Sequence, residues 1–410
     1  MDTITHGIAG ALIGKAFFFR RNARVATFAA TVGAMFPDID IIRYGFSSDP
    51  LAIVKYHRAI THSFVALPLF ALLLAWLTCA GVGLLKPRFE KLRDLDSPSW
   101  PKLWLIYAIA IASHIILDGM TSFGTRMWVP FSQRRVAWDI LFIIDFVFTA
   151  LVLLPQIVAW IYSQKSKSRP RAALMSIVFT VVAVAAWYVA GDFGFPFHFW
   201  IAVSASALIA ALFFLPSIKA AGFRVSTPEW CQAGFVLTVI YLFFCTLAHH
   251  VAFQRVYCFA ATKRIPIERI AALPLPPSLL DWGGEILSTN GVYQSRFDLR
   301  NPSKPQFTFA PDSPPDAFIA RAMVLPEVRL YWDFARFPVI RSSSDSGLHF
   351  VDFNENRFIA RPHPDHGPTP FSYRVVFNDT GDVVEEGWQA DGINVRRMMK
   401  ILPQHGKDLR

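Results

Sequence analysis

The chain has 410 residues, 53% hydrophobic and only 17% charged, with 38 Phe and 12 Trp. That balance is too apolar for an ordinary soluble protein and points to a bilayer. The net charge of +10 does not read as nucleic-acid binding. Much of the Lys and Arg sits in short loops between apolar runs, and no basic–aromatic stripe or nucleic-acid motif accompanies it.

The first elements are two short apolar segments, 4–19 and 24–36, split by "RRNAR". Each is short for an upright span, so a helical hairpin packed among other helices is expected. Six longer apolar runs follow, at about 63–85, 103–121, 138–162, 172–190, 197–216 and 233–253. Each meets the roughly 20 residues that a membrane-spanning helix needs. Beyond residue 254 proline clusters appear, as in "LPLPPS" and "SPPD", with short alternating runs after them. In "VRLYWDFARF", Val328, Leu330, Trp332 and Phe334 alternate with Arg329, Tyr331 and Asp333. "FSYRVVF" does the same with Phe371, Tyr373, Val375 and Phe377. Period two with aromatic and β-branched residues predicts strands. The fold class expected is a mainly α, polytopic membrane domain (1–253) followed by a soluble β-rich domain (254–410).

Loop charge sets the orientation. With "SQKSKSRPR" (163–171) taken as cytoplasmic, alternation puts 20–24, 86–102 and 217–232 on the same side. Together with 163–171 those loops carry 14 Lys and Arg, against six in 37–62, 122–137 and 191–196. This positive-inside bias sends the C-terminal domain outside the cytoplasm. The four cysteines, Cys79, Cys231, Cys245 and Cys258, form no CxxC pair and suggest neither a zinc–thiolate site nor a disulfide framework. The start, "MDTITHGIAG", lacks the basic region of a signal peptide.

Against this frame the ionisable residues of the first 150 positions gather at one membrane face. His6 opens the first short helix, and Asp38 and Asp40 close the second in "FPDID". His57, Arg58 and His62 precede the span at 63 in "YHRAITHSF". His114 and Asp118 end the 103–121 run, and Asp139 opens the next. Asp145 is the exception, falling inside the 138–162 run. His114 and Asp118, four apart on a helix, share a face and could grip one ion. His57 and His62 are five apart, about 140° around a helix, so one belongs to the loop. Imidazoles and carboxylates without thiolate suit zinc, manganese or iron. Four histidines and several aspartates suffice for two divalent ions, and the Arg58 fork suits an anionic substrate oxygen.

These motifs carry a resemblance. "MDTITHGIAGALIG", "FPDID", "YHRAITHSF" and "SHIILDGMTSFGT" resemble, in order, the motifs of the YdjM-like inner-membrane proteins, a family of membrane-bound metal-dependent hydrolases. The resemblance covers about residues 1–145. More remotely, the order His, Asp, His, HxxxD is similar to the zinc-dependent phospholipase C and P1-nuclease group. That comparison sets His6, Asp38 or Asp40, His62, His114 and Asp118 on metal-ligand positions. The later His and Glu ligands of that group have no counterpart here. The resemblance implies an integral protein of the bacterial inner membrane, with site and C-terminal domain facing the periplasm.

The reading is a metal-dependent hydrolase using metal-activated water, its site formed by His6, Asp38, Asp40, His57, His62, His114 and Asp118. Asp139, or whichever of Asp38 and Asp40 does not ligate, is the expected general base. Placement at a bilayer surface favours a phosphoester or lipid-linked substrate. A metal-ion transporter or sensor is the alternative class, and a scaffold whose polar cluster ties helices together is the third. His249, His250 and His198 read as boundary packing, and "RPHPDHGP" (361–368) as a loop. Arg126, Arg134 and Arg135 stand where lipid headgroups or a substrate phosphate would meet them.

Overall fold

The computed structural model describes residues 1–18, 23–47, 49, 51–89, 97–192, 199–218, 225–276, 278–358 and 371–389. The basic stretch 20–22, His198 and the histidine-bearing stretch 361–368 lie outside them. The membrane part runs through α1 (Thr3–Phe17), α2 (Ala23–Met35), the short α3 (Asp40–Gly45) and α4 (Ala52–Tyr56), then α5 (Leu67–Leu85) and α6 (Trp100–Gly119). It continues with α7 (Phe146–Tyr162), α8 (Ser168–Asp192), α9 (Phe199–Phe214) and α10 (Thr227–Lys263). Among the described residues, six stretches are long and apolar enough to cross a membrane: Arg24–Arg43, Leu67–Leu85, Trp100–Gly119, Lys165–Ala185, Phe199–Ser217 and Thr227–Lys263. The chain is an integral membrane protein.

Burial on these helices is inverted relative to a soluble bundle. On α10, Cys231, Gly234, Thr238, Tyr241 and Cys245 face the interior, while Val236, Leu237, Ile240 and Phe244 are exposed. Large apolar side chains turned outward are what lipid accepts and water does not. α1 and α2 form the expected hairpin and pack backbone to backbone. A Cβ on Gly10 would lie 2.3 Å from the Ala30 carbonyl oxygen, and one on Gly14 2.8 Å from the Thr27 Cα. Small residues at such crossings replace the hydrophobic drive that lipid removes.

Two boundaries differ from expectation. The 24–36 segment gains length because a 3-10 turn (Phe36–Ile39) and α3 continue it to Arg43. The 138–162 run shortens, since helix begins only at Phe146. Residues 136–145 are drawn into backbone bonds with the end of α6: Trp138 N donates to Gly119 O, and Ile140 N and Leu141 N donate to Met120 O. Asp145 then caps α7, its carboxylate accepting from Phe148 N. It stands at the same end as the other acidic residues, not inside the run.

The β-rich part holds two antiparallel meanders. The first is β1 (Arg269–Pro274), β2 (Asp281–Ser288), β3 (Gly291–Asp298) and β4 (Thr308–Pro311), and the second β5 (Pro338–Asp345), β6 (Leu348–Glu355), β7 (Ser372–Asn378) and β8 (Val383–Gln389). The "FSYRVVF" strand is β7. The "VRLYWDFARF" stretch is mostly helical instead: α11 (Ala317–Ala322) precedes α12 (Pro326–Phe334). Pro326 in the first turn starts α12, and the buried set is Val328, Tyr331 and Phe334, three apart. The same apolar residues fit either period, and packing chose the helical one.

The last three turns of α10 lie on the first sheet, with Ala252, Val256 and Ala260 against Trp282, Ile286 and Phe297. α12 lies on the second sheet, and that core also takes in Leu51, Val54 and Phe123 from the membrane part. Ser278 Oγ donates to Asp145, and Arg336 grips Asp139 through two hydrogen bonds of 2.8 and 2.7 Å. The β-rich part therefore sits on the end of the bundle where the ionisable residues gather.

One buried acid in this part makes stability depend on pH. Glu285 on β2 is 6% exposed and its Oε2 has no hydrogen-bond partner. Burial, and then the nearby Glu355, push its carboxyl well above the usual range. A raised acid contributes stability fully below the ordinary carboxylate range and loses it as pH rises through its own folded value. Glu285→Gln is expected to flatten that decline and raise the melting temperature at pH 9 by on the order of 5 °C. A thermal-shift series from pH 5 to 9 on both proteins checks this.

Candidate metal centre

Four loops and helix ends build the site. Thr3 Oγ1 at the start of α1 donates to Asp38 Oδ2 at 2.6 Å, which orients Asp38 after α2. The 3-10 turn Phe36–Ile39 and the start of α3 turn Asp38 and Asp40 toward the same region. A second 3-10 turn, Ile60–His62, carries His62 in ahead of α5, and the last turns of α6 supply His114 and Asp118. Both His57 and His62 thus lie on the connection into α5, and their rings meet edge to face at 5.9 Å.

Asp38, His62, His114 and Asp118, all buried, offer ligand atoms within 4.8 Å of one another. His62 Nε2 is 3.0 Å from His114 Nε2, 3.2 Å from Asp118 Oδ2 and 3.5 Å from Asp38 Oδ1. His114 Nε2 is 3.5 Å from both Asp38 Oδ1 and Asp118 Oδ2. A tetrahedral zinc site with bonds of about 2.0–2.1 Å has ligand–ligand edges of about 3.3 Å. The donor set therefore fits a divalent ion in type and in spacing.

The tautomers sharpen this. His114 Nδ1 is 2.6 Å from the Ala34 carbonyl oxygen, so Nδ1 carries the proton and Nε2 presents a lone pair. His62 Nδ1 lies 3.0 Å from Thr61 Oγ1, whose hydroxyl donates on to Asp40 Oδ2. Both rings are anchored at Nδ1 as metal-bound histidines commonly are. The two Nε2 atoms, 3.0 Å apart beside two carboxylates, can share a proton or hold a cation. Asp118 Oδ2 is buried and faces the same point, 3.2 Å from His62 Nε2 and 2.9 Å from the Arg58 Nε. Burial lowers the His62 pKa, but the Asp118 and Asp38 carboxylates outweigh it and raise it. A proton and a metal ion would therefore compete there.

A second triad, Asp38, Asp40 and His57, shares Asp38 with the first. Its His57 is half-buried, with Nδ1 3.1 Å from Asp40 Oδ1. Burial lowers the His57 pKa despite that carboxylate. Asp40 also accepts from the backbone N–H of Arg58 at 2.9 Å.

The remaining expected residues fall elsewhere. His6 stacks on His114 at 3.6 Å and reaches Asp118 Oδ1 at 3.1 Å, so it stands behind Asp118 and outside both ligand groups. The Met1 amino group also contacts Asp118 Oδ1. Arg58 is 1% exposed and adopts a left-handed backbone with φ 57°. Its Nε lies 2.9 Å from Asp118 Oδ2 and its Nη1 donates to Thr121 Oγ1 at 2.8 Å. It braces Asp118, one of the four candidate ligands. Asp139 is withdrawn as a base, because Arg336 of the β-rich part holds both its oxygens. By sequence Thr3 and Thr61 read as candidate helix caps; Asp2 caps α1 instead, and the two hydroxyls reach Asp38 and Asp40. His249 packs near Trp282 with ring centroids 5.6 Å apart, as a boundary residue would.

A polytopic helical membrane protein with a buried His/Asp cluster at one end of its helices is the class that fold and site define. The family model described as YdjM inner membrane protein matches residues 1–193. That match spans α1 to α8, contains every residue of both ligand groups and stops before the β-rich part. No curated protein and no solved structure matches the chain.

Proposed function

We propose that the protein is a membrane-bound metal-dependent hydrolase of a phosphoester, with a lipid-linked phosphate as its first candidate substrate. The observation that supports it is the facing pair His62 Nε2 and His114 Nε2, 3.0 Å apart, flanked by two buried carboxylates. A divalent ion, zinc by donor preference and manganese as the other fit, supplies Lewis acidity to an ester oxygen and acidifies water toward neutral pH. Asp38, His62, His114 and Asp118 would hold it. Arg58 keeps Asp118 charged and aimed. The Asp40–His57 pair lies on the less buried side. His57, kept neutral by burial and oriented by Asp40, is suited to take a proton from the attacking water if one ion is bound. With two ions it becomes a ligand.

A lipid-linked substrate is supported by a cavity of about 610 Å³ along α1, lined among others by Ile4, Ile8, Ala11, Ile157 and Trp160. Its exposed wall is almost wholly apolar, with Lys15, Thr31 and Gln156 also on the lining. An acyl chain would lie there. Purified protein in lipid micelles, given phosphodiester and lipid-phosphate substrates, is expected to show turnover abolished by a chelator and restored by zinc or manganese. Turnover that persists through chelation, or none with any substrate, would reject the proposal. Ion uptake into liposomes without turnover would support a transporter instead.

A further inference from the structure

Next to the metal centre lies a second chamber of a different character. It measures about 860 Å³ and is formed where the 122–137 loop meets α12 and the β-rich part. Seven of its 14 lining residues are Lys or Arg, and Asp333 is the one acid among them. Three of the seven have carboxylate partners: Lys55 with Asp49, Arg336 with Asp139 and Arg357 with Glu355. Arg126, Arg134, Arg135 and Arg269 come from the membrane part and from β1, and none has a carboxylate within ion-pair distance among the described residues. Arg126 and Arg135 are held in place by the carbonyls of Val54, Lys55 and Gly124 at 2.7–3.2 Å. Arg135 is further sandwiched near Phe123 and Phe334, at 5.5 and 5.4 Å from their centroids. Burial, and then Arg126, Arg357 and Arg58, push the Arg135 pKa well below its ordinary value. Seven cations against Asp333 and three partner carboxylates leave the chamber net positive.

A protein does not gather and fix like charges in one concavity without a counter-charge. We propose that this chamber binds a phosphate-bearing anion, its oxygens taking the place of the missing carboxylates. Rigid, backbone-anchored guanidinium groups match phosphate oxygens better than flexible ammonium groups do. One aromatic ring separates the chamber from the metal centre: Phe123 touches Arg135 on one side and His57 at 5.4 Å on another. The 122–137 loop also exposes Trp128 and Phe131, 52% and 83% accessible, as a loop dipping into a bilayer surface would. The anion can therefore arrive as a lipid headgroup or as free phosphate. This inference concerns binding alone and does not depend on hydrolysis at the neighbouring centre.

The test uses the full chain, purified in phosphate-free detergent, and titration calorimetry with inorganic phosphate and pyrophosphate. A second arm reconstitutes it in nanodiscs with or without phosphatidylglycerol and measures retained lipid by native mass spectrometry. The variant is Arg134→Gln with Arg269→Gln, both exposed positions; Arg300→Gln, on a distant strand end, is the control. Saturable binding in either arm, weakened on the order of tenfold or more in the double variant and unchanged in the control, is the expected result. The calorimetric arm identifies free phosphate and the nanodisc arm a headgroup. Metal content, measured alongside, is expected to stay at the wild-type level. No binding in both arms, or equal binding by the double variant, would overturn the inference.

Discussion

His114→Ala is expected to release the metal. Structural zinc sites bind with about 10–16 kcal/mol, so one of four ligands carries about 3 kcal/mol, on the order of 100- to 1000-fold in affinity. His62→Ala is expected to match it, while His249→Ala, whose ring sits by Trp282, keeps full occupancy. Stability gives a second readout. Without a cation, the buried donors of Asp38, His62, His114 and Asp118 repel one another or must share protons. A chelator should therefore lower the wild-type melting temperature, since a ligand that binds only the folded state stabilises it by mass action. The His114→Ala protein should melt at the same temperature with or without chelator. Equal chelator sensitivity in both proteins would count against ligation by His114. Lowering the pH should weaken metal binding, because a proton at His62 competes for the same position.

Asp139→Asn is the second large effect, and it is one of stability with the metal left in place. Asp139 is buried and takes both arms of Arg336 at 2.8 and 2.7 Å, which ties the β-rich part to the membrane part. Asparagine keeps the size and tolerates the left-handed backbone at φ 55°. It removes the charge and strands a guanidinium. Breaking a fully buried pair costs about 3–5 kcal/mol; with the Arg336 side chain a quarter exposed, about 2–4 kcal/mol is expected. Adding Arg336→Met should recover much of the loss, because no uncompensated charge then remains. Denaturation of the two single variants and the double variant gives the coupling directly. Metal content equal to wild type throughout is part of the expectation. Loss of metal in Asp139→Asn would return this residue to the centre.

The polytopic helices were legible because a bilayer demands long apolar runs, and no other signal is so simple. The gathering of His62, His114 and Asp118 was legible for a related reason. Ionisable residues at helix ends stand out against apolar sequence, and alternating topology assigns them a common face. What the sequence hid are the effects of partners distant in the chain. Asp139 looked like a site residue until Arg336, 197 positions away, was seen to hold it. The 138–145 stretch is apolar enough for helix, yet its amides bond to the end of α6. Asp145, apparently buried mid-run, is a helix cap met by Ser278 and Tyr241. In α12 the aromatic residues satisfied both periods, and Pro326 was the one local clue to the correct one. His6 was placed among the ligands by pattern, whereas its ring reaches Asp118 from behind.

The central claim is that one divalent cation joins Asp38, His62, His114 and Asp118. X-ray absorption spectroscopy at the metal edge of the purified protein tests it most directly. A shell of nitrogen and oxygen alone, at about 2.0–2.1 Å for zinc with the outer scattering of two imidazoles, is the predicted result. A sulfur shell, or purified protein that binds no metal even when zinc and manganese are supplied, would contradict it.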